Sequence, residues 1–202
     1  MKKLLSFLIV LVFSTVSMAY NLQGSAKGYP KPAIEVENLV NEEGKPTKLS
    51  DFKGKVVILY FGFTNCQHVC PTVSASLKRI SDALVEKGLK DKFQIVFITV
   101  DPKRDTPEVL KEYKKSHEFD TFTFLTGKEE DLKKVWKAYG IEVKEKEMEM
   151  KHGDHVMKHK MISHTPVITF IIDKNGKIVE DYKGIYLPED KIIQDIEYLI
   201  KK

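Results

Sequence analysis

Leu59-Tyr60-Phe61-Gly62-Phe63-Thr64-Asn65-Cys66-Gln67-His68-Val69-Cys70-Pro71 is the stretch on which the reading of this chain turns. It holds both cysteines of the protein, four residues apart, directly after an apolar, strand-like run. Beyond Pro71 the spacing changes: Val73, Leu77, Ile80, Leu84 and Val85 fall on one helical stripe, which Gly88 ends. A dithiol at a strand-to-helix junction can bind a soft metal ion or cycle between dithiol and disulfide. A purely structural disulfide is the weaker reading, because so short a loop gains little from cross-linking.

The segments on either side set this stretch in a sheet. Val56–Phe61 is continuously apolar, as expected of a central strand buried on both faces. Phe93–Val100 reads as a second buried strand, leading into the loop Asp101–Pro107. Thr106 as N-cap and Pro107 at the first helical position start a helix running to about Ser116. Phe122–Leu125 is a short strand, and Leu132, Val135, Trp136 and Tyr139 space a helix over Glu129–Tyr139. Val167–Ile172 and Ile178–Tyr182 flank a tight turn, and an amphipathic helix follows Pro188. Upstream, Ile34–Val40 and Thr47–Leu49 predict a β-hairpin turned at Asn41–Gly44. The order implies an α/β fold: a central mixed sheet flanked by helices, with an N-terminal β-hairpin extension. A dithiol just past the first buried strand is where a thioredoxin-like fold keeps its active site, an argument by fold analogy.

The ends and the composition narrow the function. Lys2 and Lys3, the apolar run Leu4–Phe13 and the small-residue pattern Ser17-Met18-Ala19 predict a signal peptide over residues 1–19. An uncleaved anchor is the alternative, and the apolar run is shorter than the ~20 residues of a spanning helix. Residues 20–32, with Gly24, Gly28, Pro30 and Pro32, read as a linker leading away from a membrane, and 33–202 as one domain. The expected location is the periplasm or the outer face of the cytoplasmic membrane. Setting Lys2 and Lys3 aside lowers the formal charge from +4 to +2. The lysines are interleaved with acids, so no basic stripe offers itself to nucleic acid. An exported domain with two cysteines has no disulfide framework, so the thiols are there for reactivity or ligation.

A third ligand candidate is His164, in Ile162-Ser163-His164-Thr165-Pro166 just before the Val167–Ile172 strand. If that strand neighbours Val56–Phe61, its leading loop faces the dithiol; the plain alternative is a hydrogen-bonded loop histidine. A helix N-terminus near Cys66 and Cys70 is expected to favour thiolate at both. Residues 144–161 form a polar segment carrying Met148, Met150, His152, His155, Met157, His159 and Met161. In a helix, His152, His155 and His159 would share one face, and such a tract is a candidate auxiliary metal site; the alternative is a charged loop of incidental composition. His68 is an auxiliary candidate too, or points to solvent.

Three motifs now stand together: Tyr60-Phe61-Gly62-Phe63-Thr64-x-Cys66-x-x-Val69-Cys70-Pro71, Val100-Asp101-Pro102-x-Arg104-Asp105-Thr106-Pro107, and Ser163-His164-Thr165. In this order and at these separations they resemble the Sco/SenC family of copper chaperones, over about Ala33 to Lys201. The resemblance implies a thioredoxin-like fold, an exported and often membrane-tethered domain, and copper, as Cu(I) or Cu(II), bound by Cys66, Cys70 and His164. It also implies a partner, the binuclear copper site of cytochrome c oxidase subunit II, alongside other periplasmic copper carriers. The work done there would be copper delivery, reduction of that site's cysteines, or both, so metallochaperone and thiol-disulfide oxidoreductase stay open. Departures are Gln67-His68 where the family usually has Pro-Asp, and Ser163 where it has Asp. Pro166 falls where thioredoxin-like oxidoreductases keep a cis-proline, although X-Pro bonds in general favour trans.

Overall fold

The computed structural model describes residues 20–67, 69–152 and 155–202, and of 147–152 and 155–160 the backbone alone. The expected signal peptide 1–19 and His68 lie outside the described residues, as do the side chains of Met148, Met150, His152, His155, Met157 and His159.

The core is a seven-stranded mixed sheet. In chain order its strands are β1 (Lys31–Pro32), β2 (Leu39–Asn41), β3 (Val56–Gly62), β4 (Phe93–Thr99), β5 (Phe122–Gly127), β8 (Ile168–Ile172) and β9 (Lys177–Lys183). A separate ribbon, β6 (Glu142–His152) with β7 (His155–Thr165), intervenes. Across the sheet the order is β1-β9-β8-β3-β4-β5-β2. β3 runs parallel to β4 and antiparallel to β8, so both of its edges are paired and all seven of its residues are buried. That double burial is why its sequence is a continuous apolar run.

The period-2 alternation of β3 serves two cores. Val57, Leu59 and Phe61 point to the side closed by α3 (Glu129–Ala138), where Leu132, Val135 and Trp136 pack. Ile58 and Tyr60 point to the other, against Val73, Leu77 and Ile80 of α1 (Val69–Glu86). Ile192 and Ile196 of α4 (Glu189–Lys201) and Leu110 of α2 (Pro107–Ser116) join that second core. Helices therefore cover both faces, as the alternation of elements predicts. Among the described residues no helix is long and apolar enough to cross a membrane.

Three elements differ from the sequence reading. The stretch 20–32, expected as a linker, is strapped to the sheet edge: Ser25 and Asp181 exchange backbone hydrogen bonds at 2.8 and 3.0 Å. The Tyr20 hydroxyl donates to Asp195 at 2.6 Å, and the Gly24 amide donates to Glu180 at 2.7 Å. A Cβ on Gly24 would lie 2.5 Å from the Glu180 carboxylate, so the close approach of this strap requires glycine. The upstream hairpin is small: Asn41 and Thr47 donate to Lys45 and Leu39 around the expected turn, and a single bridge joins Val40 to Pro46. Its outer strand, β2, pairs instead with β5 and closes the far edge of the main sheet.

The third difference matters most for the site. Glu142–His152 and His155–Thr165 form neither a helix nor a loop but a two-stranded antiparallel ribbon, eleven residues a side. The helical grouping of His152, His155 and His159 therefore does not occur. Period 2 replaces period 3.6, and residues directly opposite one another share a face. The ribbon delivers His164 at its base, and the Thr165–Pro166 bond that follows is cis, against the general preference for trans.

Candidate metal centre

The dithiol sits where β3 gives way to α1. Cys66 is partly buried, Cys70 fully so, and no disulfide joins them. The Cys66 amide donates to the Phe63 carbonyl at 3.4 Å, and the Cys70 amide donates to Cys66 Sγ at 3.3 Å. The Cys66 sulfur thus caps an amide in the first turn of α1, where backbone N–H groups lack helical partners. The i, i+4 spacing read from the sequence therefore produces direct contact between the two residues.

At Cys70 the expected thiolate is not what this environment favours. The Cys70 thiol is held well above the usual thiol range, first by its hydrogen bond to Cys66 and then by burial. Helix polarity at α1 is outweighed because Cys70 faces the core and not water. The buried Tyr60 hydroxyl approaches Cys70 without a well-formed hydrogen bond; burial, and next the Cys70 sulfur, push its own pKa up. Cys70 keeps its proton until something displaces it, as a bound soft metal ion would.

His164 belongs to the same corner. Its ring meets Phe63 edge to face at 6.5 Å between centroids, and Phe63 is the residue whose carbonyl holds Cys66. His164 is 8% exposed, and its Nδ1 is buried with no hydrogen-bond partner. Burial lowers its pKa to about 4, so the imidazole is neutral at physiological pH, the form in which a ring nitrogen can ligate a metal. The plain alternative, a loop histidine satisfied by hydrogen bonds, fails at Nδ1. An orphaned nitrogen costs about 1–3 kcal/mol when buried, and ligation removes that cost. Two thiols and a neutral imidazole fit a soft or borderline ion such as copper. Among the described residues no three His, Cys, Asp or Glu side chains already form a closed cage. To hold an ion together, Cys66, Cys70 and His164 would have to draw closer.

The loop Asp101–Pro107 supports this corner from below. Asp105 is fully buried and accepts from Thr64 Oγ1 at 2.5 Å, from the Thr64 amide at 3.2 Å and from Thr99 Oγ1 at 2.6 Å. Burial nevertheless raises its pKa, the three donors opposing that rise. Asp105 thus ties the segment leading to Cys66 onto the end of β4. Arg104 pairs with Asp101, and its guanidinium lies 6.0 Å from the centre of the Phe63 ring. Phe63 is therefore flanked by Arg104 and His164. Sequence reasoning quoted Asp105 and Phe63 within motifs but assigned neither this positioning role. The one available signal was an acid beside Thr and Pro in a loop following a buried strand.

Other histidines and methionines lie elsewhere. His117 caps the end of α2, its Nδ1 2.9 Å from the Tyr113 carbonyl. Met161 is 54% exposed, on the ribbon face opposite to that of His164, so it is not a ligand of the same ion. Of the six other Met and His candidates of the ribbon only the backbone, on β6 and β7, is described.

A dithiol at the start of α1, backed by a buried histidine from a neighbouring strand connection, defines a thioredoxin-like domain with a soft-metal or redox corner. The sequence pattern of the SCO1/SenC family matches residues 32–201, and the chain belongs to that family. It is 38% identical over 149 residues to an SCO2-like protein of Rickettsia conorii, covering 71% of this chain and 66% of the relative, just under two thirds of its length. The structure of ScoI from Bradyrhizobium japonicum with copper bound superposes with a TM-score of 0.67 at 27% identity, covering 84% of this chain and 99% of that one. BsSco, a member of the Sco family of cytochrome c oxidase assembly proteins in which a disulfide switch was identified, superposes at 0.62 with 26% identity over 85% of this chain and 95% of its own.

Proposed function

We propose that this protein is an exported copper-binding chaperone that delivers copper to the binuclear centre of cytochrome c oxidase, holding the ion with Cys66, Cys70 and His164. The observation that carries this reading is His164: a neutral imidazole, buried, its Nδ1 without a partner, packed on the same Phe63 that fixes Cys66. Cargo binding displaces the thiol protons and leaves a mixed sulfur–nitrogen shell that accommodates Cu(I) and Cu(II). Family membership and the copper-bound ScoI relative support copper over zinc or iron. The periplasm, or the outer face of the cytoplasmic membrane, is the proposed place of action.

The second reading is thiol-disulfide exchange with a partner's cysteines. It is favoured by the direct hydrogen bond between Cys70 and Cys66. Two thiols would become one disulfide, passing two electrons and two protons to the partner's disulfide. The readings separate on His164, which exchange does not need. Anaerobic copper titration of the reduced full chain and of His164→Ala decides between them. Copper carriage predicts about one equivalent on the dithiol site, with a thiolate-to-Cu(II) band lost in the variant; an unchanged band and affinity would favour exchange.

A further inference from the structure

The strap that runs from Tyr20 is fastened to three neighbouring acids. The Tyr20 hydroxyl and the Gln23 amide donate to the two oxygens of Asp195 at 2.6 and 3.0 Å, and the Gly24 amide donates to Glu180 at 2.7 Å. The Ser25 amide donates to the Asp181 carbonyl at 2.8 Å, and the Tyr29 hydroxyl to the Asp181 carboxyl at 2.9 Å. Glu180 on β9 and Asp195 on α4 are both fully buried. Consecutive amides of the strap reach them, so their carboxyl groups lie side by side, in hydrogen-bond contact. The titratable groups that Glu180 meets are Asp195 from α4, Asp181 and Tyr182 from β9, and Tyr20 from the strap; β8 places Ile171 opposite it. The Tyr182 hydroxyl donates to Asp195 as well. No cation is among these groups, and among the described residues the acids form no cluster able to hold a metal ion.

Two buried carboxyls in contact, with no cation beside them, do not both ionise near neutral pH. One proton is therefore shared between them. Glu180 is the natural holder, because its Oε1 is buried without a partner and an ionised carboxylate would leave that oxygen unsolvated. We infer that the Glu180–Asp195 pair is a proton-gated latch: with the shared proton it fastens residues 20–25 to the sheet edge, and on losing that proton it releases them. The strap lies directly on the pair, since Gly24 has no room for a Cβ beside the Glu180 carboxyl, so release lets water reach the second charge. Burial, and next the Asp195 charge, raise the Glu180 pKa to about 8 from the ordinary 4.5 of a hydrated group. Opening therefore gives up a proton between those values, and its equilibrium constant rises up to tenfold per pH unit until about pH 8. Six freed residues extend by about 20 Å, so the latch makes the reach between residues 1–19 and the sheet depend on pH. The inference does not rest on the copper reading.

The test is amide hydrogen exchange of the reduced, copper-free full chain from about pH 6 to about pH 9, read as protection factors at Gln23, Gly24 and Ser25 and compared with those of β3. In the wild type the three strap amides are expected to lose protection by up to tenfold per pH unit until about pH 8 and then level off, staying less protected than β3 throughout. Glu180→Gln, whose side-chain amide can donate to Asp195 and accept from Gly24 at any pH, is expected to keep strap protection constant. Wild-type protection that does not change with pH would overturn the latch. So would strap amides as well protected as those of β3, which would open only with the whole domain, or the same decline persisting in Glu180→Gln. Should that variant not fold, 13C-carboxyl NMR of the wild type decides: a Glu180 step near pH 8 that coincides with the loss of protection supports the latch, and ionisation complete by about pH 6 refutes it.

Discussion

Replacing His164 by Gln and lowering the pH from 7 to 5 should expose the burial of its neutral imidazole as a stability difference. Burial lowers the His164 pKa to about 4, against the 6.5 of an exposed histidine. Between those values the unfolded chain binds a proton that the folded chain refuses, so the group's contribution to stability is present above 6.5 and lost as pH falls. Linkage puts the loss at about 2 kcal/mol at pH 5 and about 3 kcal/mol at pH 4. Carboxylates titrate in the same range, so the quantity to measure is the difference between wild type and His164→Gln. Urea unfolding of the copper-free, reduced proteins at pH 7 and pH 5 gives that difference at each pH. Wild type should lose about 2 kcal/mol relative to the variant between the two conditions. A difference that does not change with pH would mean that the imidazole is hydrated or hydrogen-bonded, and the argument for a ligand-ready nitrogen would fail.

Three further outcomes follow from other parts of the structure. Asp105→Asn, which weakens the hold on Thr64, should reduce copper affinity several-fold while leaving Cys66, Cys70 and His164 in place; unchanged affinity in a competition titration would show that the Thr64 tether does not position the dithiol. Glu180 is fully buried, and burial, reinforced by the Asp195 charge, raises its pKa to about 8. Its folded form therefore holds a proton that the unfolded chain releases from about pH 4.5 upward, so stability falls as pH rises to about 8, and Glu180→Gln should flatten that decline in a pH series of thermal melts. A Cβ at Gly62 would sit 2.8 Å from Phe97 and 2.9 Å from Tyr60, so Gly62→Ala should cost about 1–3 kcal/mol by overpacking, read as a lower urea midpoint.

Much of this was legible in the sequence where the chain's local chemistry agrees with its tertiary role. β3 and β4 are buried on both faces and so are written as apolar runs, and α2 carries its own start signal in Thr106 and Pro107, with the Val109 amide donating to Thr106. The dithiol was legible because both cysteines lie in one turn. The ribbon was not, for a physical reason. Its period-2 alternation, Glu147-Met148-Glu149-Met150-Lys151-His152, is visible, but Glu and Lys disfavour strands and hide it among charges. The strap at 20–32 looked like a linker because its order comes from distant partners, Asp181 and Asp195, and not from its own composition. The Asp105–Thr64 tether joins residues 41 apart, and the cis bond at Pro166 runs against the average behaviour of X-Pro. Helix polarity predicted the wrong direction for Cys70, since a local rule registers neither its hydrogen bond with Cys66 nor that the thiol faces the core.

X-ray absorption at the copper edge, on the reduced full chain loaded with one equivalent, tests the central claim most directly. Ligation by Cys66, Cys70 and His164 predicts two sulfur neighbours and one nitrogen, with the nitrogen lost in His164→Ala. A first shell that is the same with and without His164 would contradict it.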